Sequence, residues 1–187
     1  VEFDTWFSEK SLYDSGDVKK TLNYLIDNNY TYENEGAIWL KTTEYDDEKD
    51  RVLVKSDKTL TYLMPDIAYH ANKLSRGYDH LIDVLGADHH GYIPRLKAAI
   101  AFVGGNPDLL DVEILQMVRV LQNGEEVKMS KRSGKAITLR DLIDEVGSDA
   151  LRFMYSAKAL STHMDLDLDL AVKNTNENPV YYVQYAY

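Results

Sequence analysis

Leu81-Ile82-Asp83-Val84-Leu85 is a short apolar run that stops at Gly86, and the order of elements after it restricts the fold more than any other part of the chain. A helical pattern over 93–103 comes next, opened by Gly91 and closed by Gly104-Gly105, and then a strand-like stretch over 113–121. Asn123-Gly124 after it is the strongest short turn signal for a hairpin. Strand, helix, strand and hairpin in that order predict an α/β domain, with 81–85 as a buried strand, parallel to a neighbour. Downstream only helices are expected. Thr138-Leu139-Arg140-Asp141 has capping-box spacing, Gly147 ends that helix, Ser148 caps another to about 159, and Asn178-Pro179 caps a last one.

Upstream, Val18, Leu22, Leu25 and Ile26 recur at helical spacing over 15–28, with Ser15 as a candidate cap. Two hairpins are expected between 30 and 63. The first turns at Asn34-Glu35-Gly36 and the second at Ser56-Asp57-Lys58, with an acidic, solvated loop over 46–50 between them. Pro65 suits the first turn of a helix whose apolar face is Ile67, Ala68, Ala71 and Leu74.

The charge distribution raises a chemical question. The chain carries 31 acidic and 21 basic residues, yet Lys128, Lys131, Arg132 and Lys135 crowd into eight positions beside Gly124 and Gly134. Flexible ammonium groups, close backbone amides and the Ser130 or Ser133 hydroxyl suit a polyphosphate. The Walker spacing cannot be laid over this loop. A cluster of this kind is otherwise a solvated turn. Net acidity weighs against nucleic acid as the main partner but leaves a local patch free to bind it. There is no cysteine, so disulfides and thiolate metal sites are excluded and a reducing cytoplasm is the default. No apolar run is long enough to span a membrane.

Three other groups could carry chemistry. Asp66 stands at a helix start, four residues after Tyr62. A carboxylate pairs with the guanidinium fork, although an acid is also favoured at a helix N-terminus for its own sake. Asp88 follows a strand end and a glycine, where α/β sheets place groups that take ribose hydroxyls. His89-His90 has no third ligand in view, so no metal site is expected there. Asp165–Leu170, an Asp-Leu alternation, fails the calcium-loop pattern, because Leu170 stands where glycine is required. It reads as a lead-in to a helix with alternate apolar residues buried. The tyrosines of 181–187 could stack bases, or pack as a helix core.

Lys128-Met129-Ser130-Lys131-Arg132 resembles the second signature, KMSKS, of class I aminoacyl-tRNA synthetases. Gly86-Ala87-Asp88-His89-His90-Gly91-Tyr92 and the stretch Tyr62–His70 resemble bacterial arginyl-tRNA synthetases more narrowly. Asp149-Ala150-Leu151-Arg152 and the stretch from Asn178 to Ala186 do so too, all in the family order. The resemblance implies the second half of a Rossmann-like nucleotide-binding fold with inserted β-hairpins, followed by helices. Catalytic-domain residues would run over 1–136, with the insertion at about 30–63, and 137–187 would lead into a truncated anticodon-binding domain. The implied substrates and partners are ATP with Mg2+, L-arginine and tRNA-Arg, with a cytoplasmic monomer as the expected state. Carried over residue by residue, Lys128 and Lys131 are catalytic. Lys128, Met129, Ser130 and Lys131 hold ATP together with Gly86, Asp88 and His89, and Tyr62 and Asp66 hold arginine. The family's first signature, the HIGH-type sequence, is absent from these residues. The 187 residues alone are therefore expected to be inactive, and the alternative is a non-catalytic RNA- or nucleotide-binding module.

Overall fold

The computed structural model describes residues 2–127 and 136–187, and these form two compact units. The first comprises Val1–Val84 and Asp88–Val112, the second Leu85–Ala87 and Glu113–Tyr187.

In the first unit, helices α1 (Lys10–Asp14) and α2 (Asp17–Asp27) precede a three-stranded antiparallel sheet, β1 (Thr31–Asn34), β2 (Ala37–Leu40) and β3 (Arg51–Val54). The first hairpin is as expected. Glu35 and Gly36 both take positive φ, 50° and 75°, the type I′ geometry that matches strand twist, and Tyr32 stacks opposite Trp39. The second hairpin is short: the Val54–Leu60 bridge is flanked by the Lys55 amide on the Thr59 carbonyl and the Thr61 amide on the Leu53 carbonyl, along the edge of β3 that β2 leaves open. Helix α3 (Leu63–Ser75) begins two residues before Pro65. Strand β4 (Leu81–Gly86) and strand β5 (Leu110–Leu115), whose first residues belong to this unit and whose last residues to the second, pair, with α4 (Ile93–Phe102) between them in sequence.

One core holds this unit together. Leu12, Leu25, Leu40, Leu53, Met64, Ile67 and Phe102 are almost wholly buried within it, each contributing about 1.5–3 kcal/mol by leaving water. Gly105 closes α4 where no side chain fits, since a Cβ there would lie 2.7 Å from Leu74 and 2.9 Å from Ile100.

Two expectations fail here. β4 is not a buried strand. Leu81 is buried and Asp83 nearly so, whereas Ile82 and Val84 are 59% and 58% exposed. A two-stranded ribbon covered on one face buries every second residue. The acidic loop is not merely solvated either. Asp47 is 6% exposed; its carboxylate accepts from Arg51 at 2.5 and 2.8 Å and lies 3.6 Å from Arg95. The Arg51 hydrogen bonds outweigh burial and hold the Asp47 carboxyl below the usual range. Asp47→Asn strands two half-buried guanidinium groups, so it should cost about 3 kcal/mol of stability, read as a lower urea midpoint for this chain.

The second unit contains β6 (Val118–Gln122), β7 (Glu125–Glu126), α5 (Leu139–Val146), α6 (Ser148–Ser156), β8 (Met164–Asp167), α7 (Leu168–Ala171) and α8 (Pro179–Ala186). The stretch expected as one strand over 113–121 breaks at Gln116, whose amide bonds Leu160 instead. Asn123 and Gly124 make the turn between β6 and β7, with φ of 52° and 76°. The Thr138–Asp141 capping box forms in both directions, and Asn178 caps α8 through the Val180 amide. Ser148 is the first residue of α6, and its hydroxyl accepts no capping hydrogen bond.

The expectation of helices alone after the hairpin is corrected by β8, which runs parallel to β6. The Asp-Leu alternation is a strand period. Leu166 faces inward, fully buried against Leu142, Leu151 and Leu168, and Asp165 faces outward to accept from Arg119 Nε and Nη2, each at 2.7 Å. Asp167 caps α7 and Asp169 accepts from the Asn123 amide, so the three carboxylates serve three different partners. Among the described residues, no helix is long and apolar enough to cross a membrane.

Candidate active site

Tyr62 is the residue before α3 and Asp66 lies in its first turn. Their spacing of four stacks them one turn apart. The Tyr62 ring is 91% exposed, whereas Asp66 is half-buried. What reaches Asp66 is Tyr92, whose hydroxyl donates to Oδ2 at 2.7 Å. Tyr92 ends the 310 turn Ala87–Tyr92 that comes after β4. Burial first, and then the bond to Asp66, push its hydroxyl pKa far up, so it remains a donor at any usable pH.

The same 310 turn carries Asp88 and His89, both exposed, with His89 Nδ1 at 2.9 Å from Asp88 Oδ1. The His89 ring meets Tyr92 edge-on, centroids 6.2 Å apart, and the Arg95 guanidinium lies 4.6 Å over the centre of the Tyr92 ring. A cavity of about 670 Å³ opens beside this turn, lined by Asp47, Arg51, Asp88, His89, Tyr92 and Arg95 among others. Gly86 closes β4 immediately before the turn. Lys128, Met129, Ser130 and Lys131 lie outside the described residues.

Behind Asp66 is a second polar cluster. His70, one turn further along α3 and 3% exposed, places Nδ1 at 2.8 Å from the Asp66 carbonyl and Nε2 at 2.9 Å from Asp83 Oδ2. Both ring nitrogens thus face oxygen acceptors. Lys73 donates to the other Asp83 oxygen. Burial alone would raise the Asp83 carboxyl, but the bonds from His70 and Lys73 outweigh it and lower it from 3.8 to about 2. A depressed acid stabilises the fold above its unfolded pKa and loses that contribution as pH falls through its folded one. About 2 kcal/mol should therefore disappear between about pH 5 and pH 2. Acid unfolding of Asp83→Asn should lack that part of the slope.

Sequence reasoning brought out Asp66, Asp88 and His89, and the structure sets them on one helix start and one turn of the first unit. It missed Tyr92, His70, Asp83, Asp47 and Arg95. The charge inside Leu81-Ile82-Asp83-Val84-Leu85 was the one visible signal, because an acid within an apolar strand requires a partner.

Chemically, the first unit offers a half-buried carboxylate with one oxygen held by a neutral donor. Such a group is suited to a cation with planar donors.

The family model described as tRNA synthetases class I (R), catalytic domain, matches residues 3–169. An arginine–tRNA ligase of Shouchella clausii is 61% identical over all 187 residues, which cover 34% of its length. The Halalkalibacterium halodurans arginine–tRNA ligase 1 is 60% identical over the same span, again 34% of its length. The chain thus spans about a third of the curated relatives it matches. A solved Campylobacter jejuni structure, described as an arginyl-tRNA synthetase, is 45% identical with a TM-score of 0.90, covering all of this chain and 40% of that one. The mixed α/β architecture is therefore that of a Rossmann-like class I synthetase segment. With a family match across most of its length and a fold shared with a solved structure of the same description, this chain belongs to the class I arginyl-tRNA synthetase family.

Proposed function

We propose that this chain supplies the arginine-side and phosphate-side contacts of an arginine–tRNA ligase, which joins ATP, L-arginine and tRNA-Arg to give arginyl-tRNA, AMP and diphosphate. The observation that carries this reading is the 57–61% identity, over every residue, to relatives named arginine–tRNA ligase. In it, Asp66 and Tyr62 take the arginine side chain. Gly86, Asp88 and His89 take the adenosine of ATP, and Lys128, Met129, Ser130 and Lys131 take its phosphates. Magnesium arrives with the nucleotide as part of the substrate. The arginine carboxylate attacks the α-phosphate in line and diphosphate leaves. Lys128 and Lys131 stabilise the charge gathering on the leaving oxygens, which is where such a step gains most from fixed charge. Residues 1–136 belong to the catalytic domain in this reading, the family match continues to residue 169, and the stretch toward 187 leads to anticodon recognition. A cytoplasmic monomer fits it as well.

The test replaces the matching segment of the Shouchella clausii relative with these 187 residues. The swapped synthetase should charge tRNA-Arg and show arginine-dependent ATP–diphosphate exchange, while the 187 residues alone, which contain no HIGH-type sequence, should do neither. A folded swap with no exchange, whose 187-residue part still retains RNA or nucleotide, would favour a non-catalytic binding module.

A further inference from the structure

Asp66 and Asp47 are both buried or half-buried carboxylates of the first unit, but they are partnered in opposite ways. Asp47 meets two guanidinium groups, Arg51 and Arg95, so its charge is already neutralised. Asp66 meets a neutral hydroxyl, that of Tyr92 at 2.7 Å. A neutral donor fixes the carboxylate's orientation and leaves its full charge for a ligand. A cation in the same place would compete with the ligand. Arg95 is engaged with Tyr92 and Asp47, and its buried Nε makes no hydrogen bond. It lies over the face of the Tyr92 ring at 4.6 Å and turns its charge toward Asp47 at 3.6 Å.

The Tyr92 ring is itself held, with Arg95 over it and the His89 edge against it. Its hydroxyl therefore approaches Asp66 from a fixed point, on a segment 26 residues away in sequence. We infer that Tyr92 is a positioning residue for the amino acid substrate: its hydroxyl holds the Asp66 carboxylate in the orientation that receives a guanidinium. The inference rests on the reading of Asp66 as the arginine-binding acid. Orienting a carboxylate in advance lowers the entropic cost of forming two aligned hydrogen bonds. The benefit appears in arginine binding rather than in the chemical step, because Tyr92 touches no reacting atom.

The experiment uses the full-length synthetase carrying these residues and follows arginine-dependent ATP–diphosphate exchange. Tyr92→Phe keeps the ring, with its Arg95 and His89 contacts, and deletes the donor. Arginine KM should rise by about 5- to 20-fold, less than a direct hydrogen bond from a charged group to the ligand would give, because the hydroxyl acts on arginine only through Asp66. The ATP KM and kcat should stay within about 3-fold and the melting temperature within a few degrees. In an Asp66→Asn background the same change should cost no further arginine affinity, since the group it orients is gone. An unchanged arginine KM in Tyr92→Phe, beside a raised one in Asp66→Asn, overturns the inference and leaves the reading of Asp66 intact. An equal rise in both KM values assigns Tyr92 to the fold and overturns it too. An unchanged arginine KM in Asp66→Asn overturns the underlying reading, and the inference with it. Should Tyr92→Phe fail to fold, Tyr92→Met, which also lacks the hydroxyl, is read by the same four quantities.

Discussion

Lys131→Ala in a full-length synthetase carrying these residues should slow adenylate formation by about 100-fold or more, the usual cost of removing a fixed charge or donor aimed at a developing anion. The arginine and ATP KM values should move far less. The argument starts from composition. A chain with a formal charge of -10 gathers four cations between 128 and 135, directly after β7 and before the capped start of α5. In the family resemblance, Lys131 is the lysine set against the leaving diphosphate. Negative charge accumulates there only as the bond to the α-phosphate breaks, so its loss should fall on kcat and not on binding. Lys131→Arg keeps the charge but replaces a compact ammonium with a planar fork, and should recover only part of the rate. Exchange by Lys131→Ala within a few-fold of the parent enzyme would remove the lysine from the mechanism.

The sequence was most informative where structure is local. Thr138 and Asn178 announce their helices because a cap needs only a side chain and an amide two or three residues away. Glu35-Gly36 and Asn123-Gly124 announce their turns because few residues tolerate positive φ. Apart from the missing Ser148 cap, the misreadings depend on partners distant in the chain. Arg51–Val54 alternates as a strand, but alternation does not show that it joins β2 on one edge as well as the short second hairpin on the other. Met164–Asp167 carries a strand period in full view; its aspartates distracted from it, and its partner β6 lies some 46 residues upstream. Asp47 looked solvated because nothing nearby in sequence shows that Arg95 will lie beside it. The site divides in the same way. The spacing of Tyr62 and Asp66 is local and legible. The Tyr92 hydroxyl on Asp66 and the His70–Asp83 bond behind it join separate segments, and only the folded chain brings them together.

The same geometry sharpens what Asp66→Asn should do. Asparagine keeps the size and loses the charge, so arginine affinity should fall by roughly 1.5–3 kcal/mol, the range for a hydrogen bond to a charged group. Tyr92 biases the outcome toward the upper end. Its hydroxyl donates to Oδ2 and burial keeps it protonated, so in the variant it selects the amide oxygen as acceptor. The amide nitrogen then takes the place of Oδ1 and presents hydrogens to a guanidinium that has only hydrogens to offer. The variant thus replaces an attraction with a donor facing a donor. If the hydroxyl is also removed, the amide is free to turn its oxygen toward the ligand, so adding Tyr92→Phe to Asp66→Asn should leave arginine affinity unchanged or slightly restore it. ATP affinity should stay close to the parent value in both proteins, since neither side chain belongs to the Gly86, Asp88 and His89 set. Calorimetric titration of each full-length variant with arginine, and separately with ATP, gives both numbers. A parallel loss of the two affinities would place Asp66 in the support of α3 rather than in contact with the amino acid.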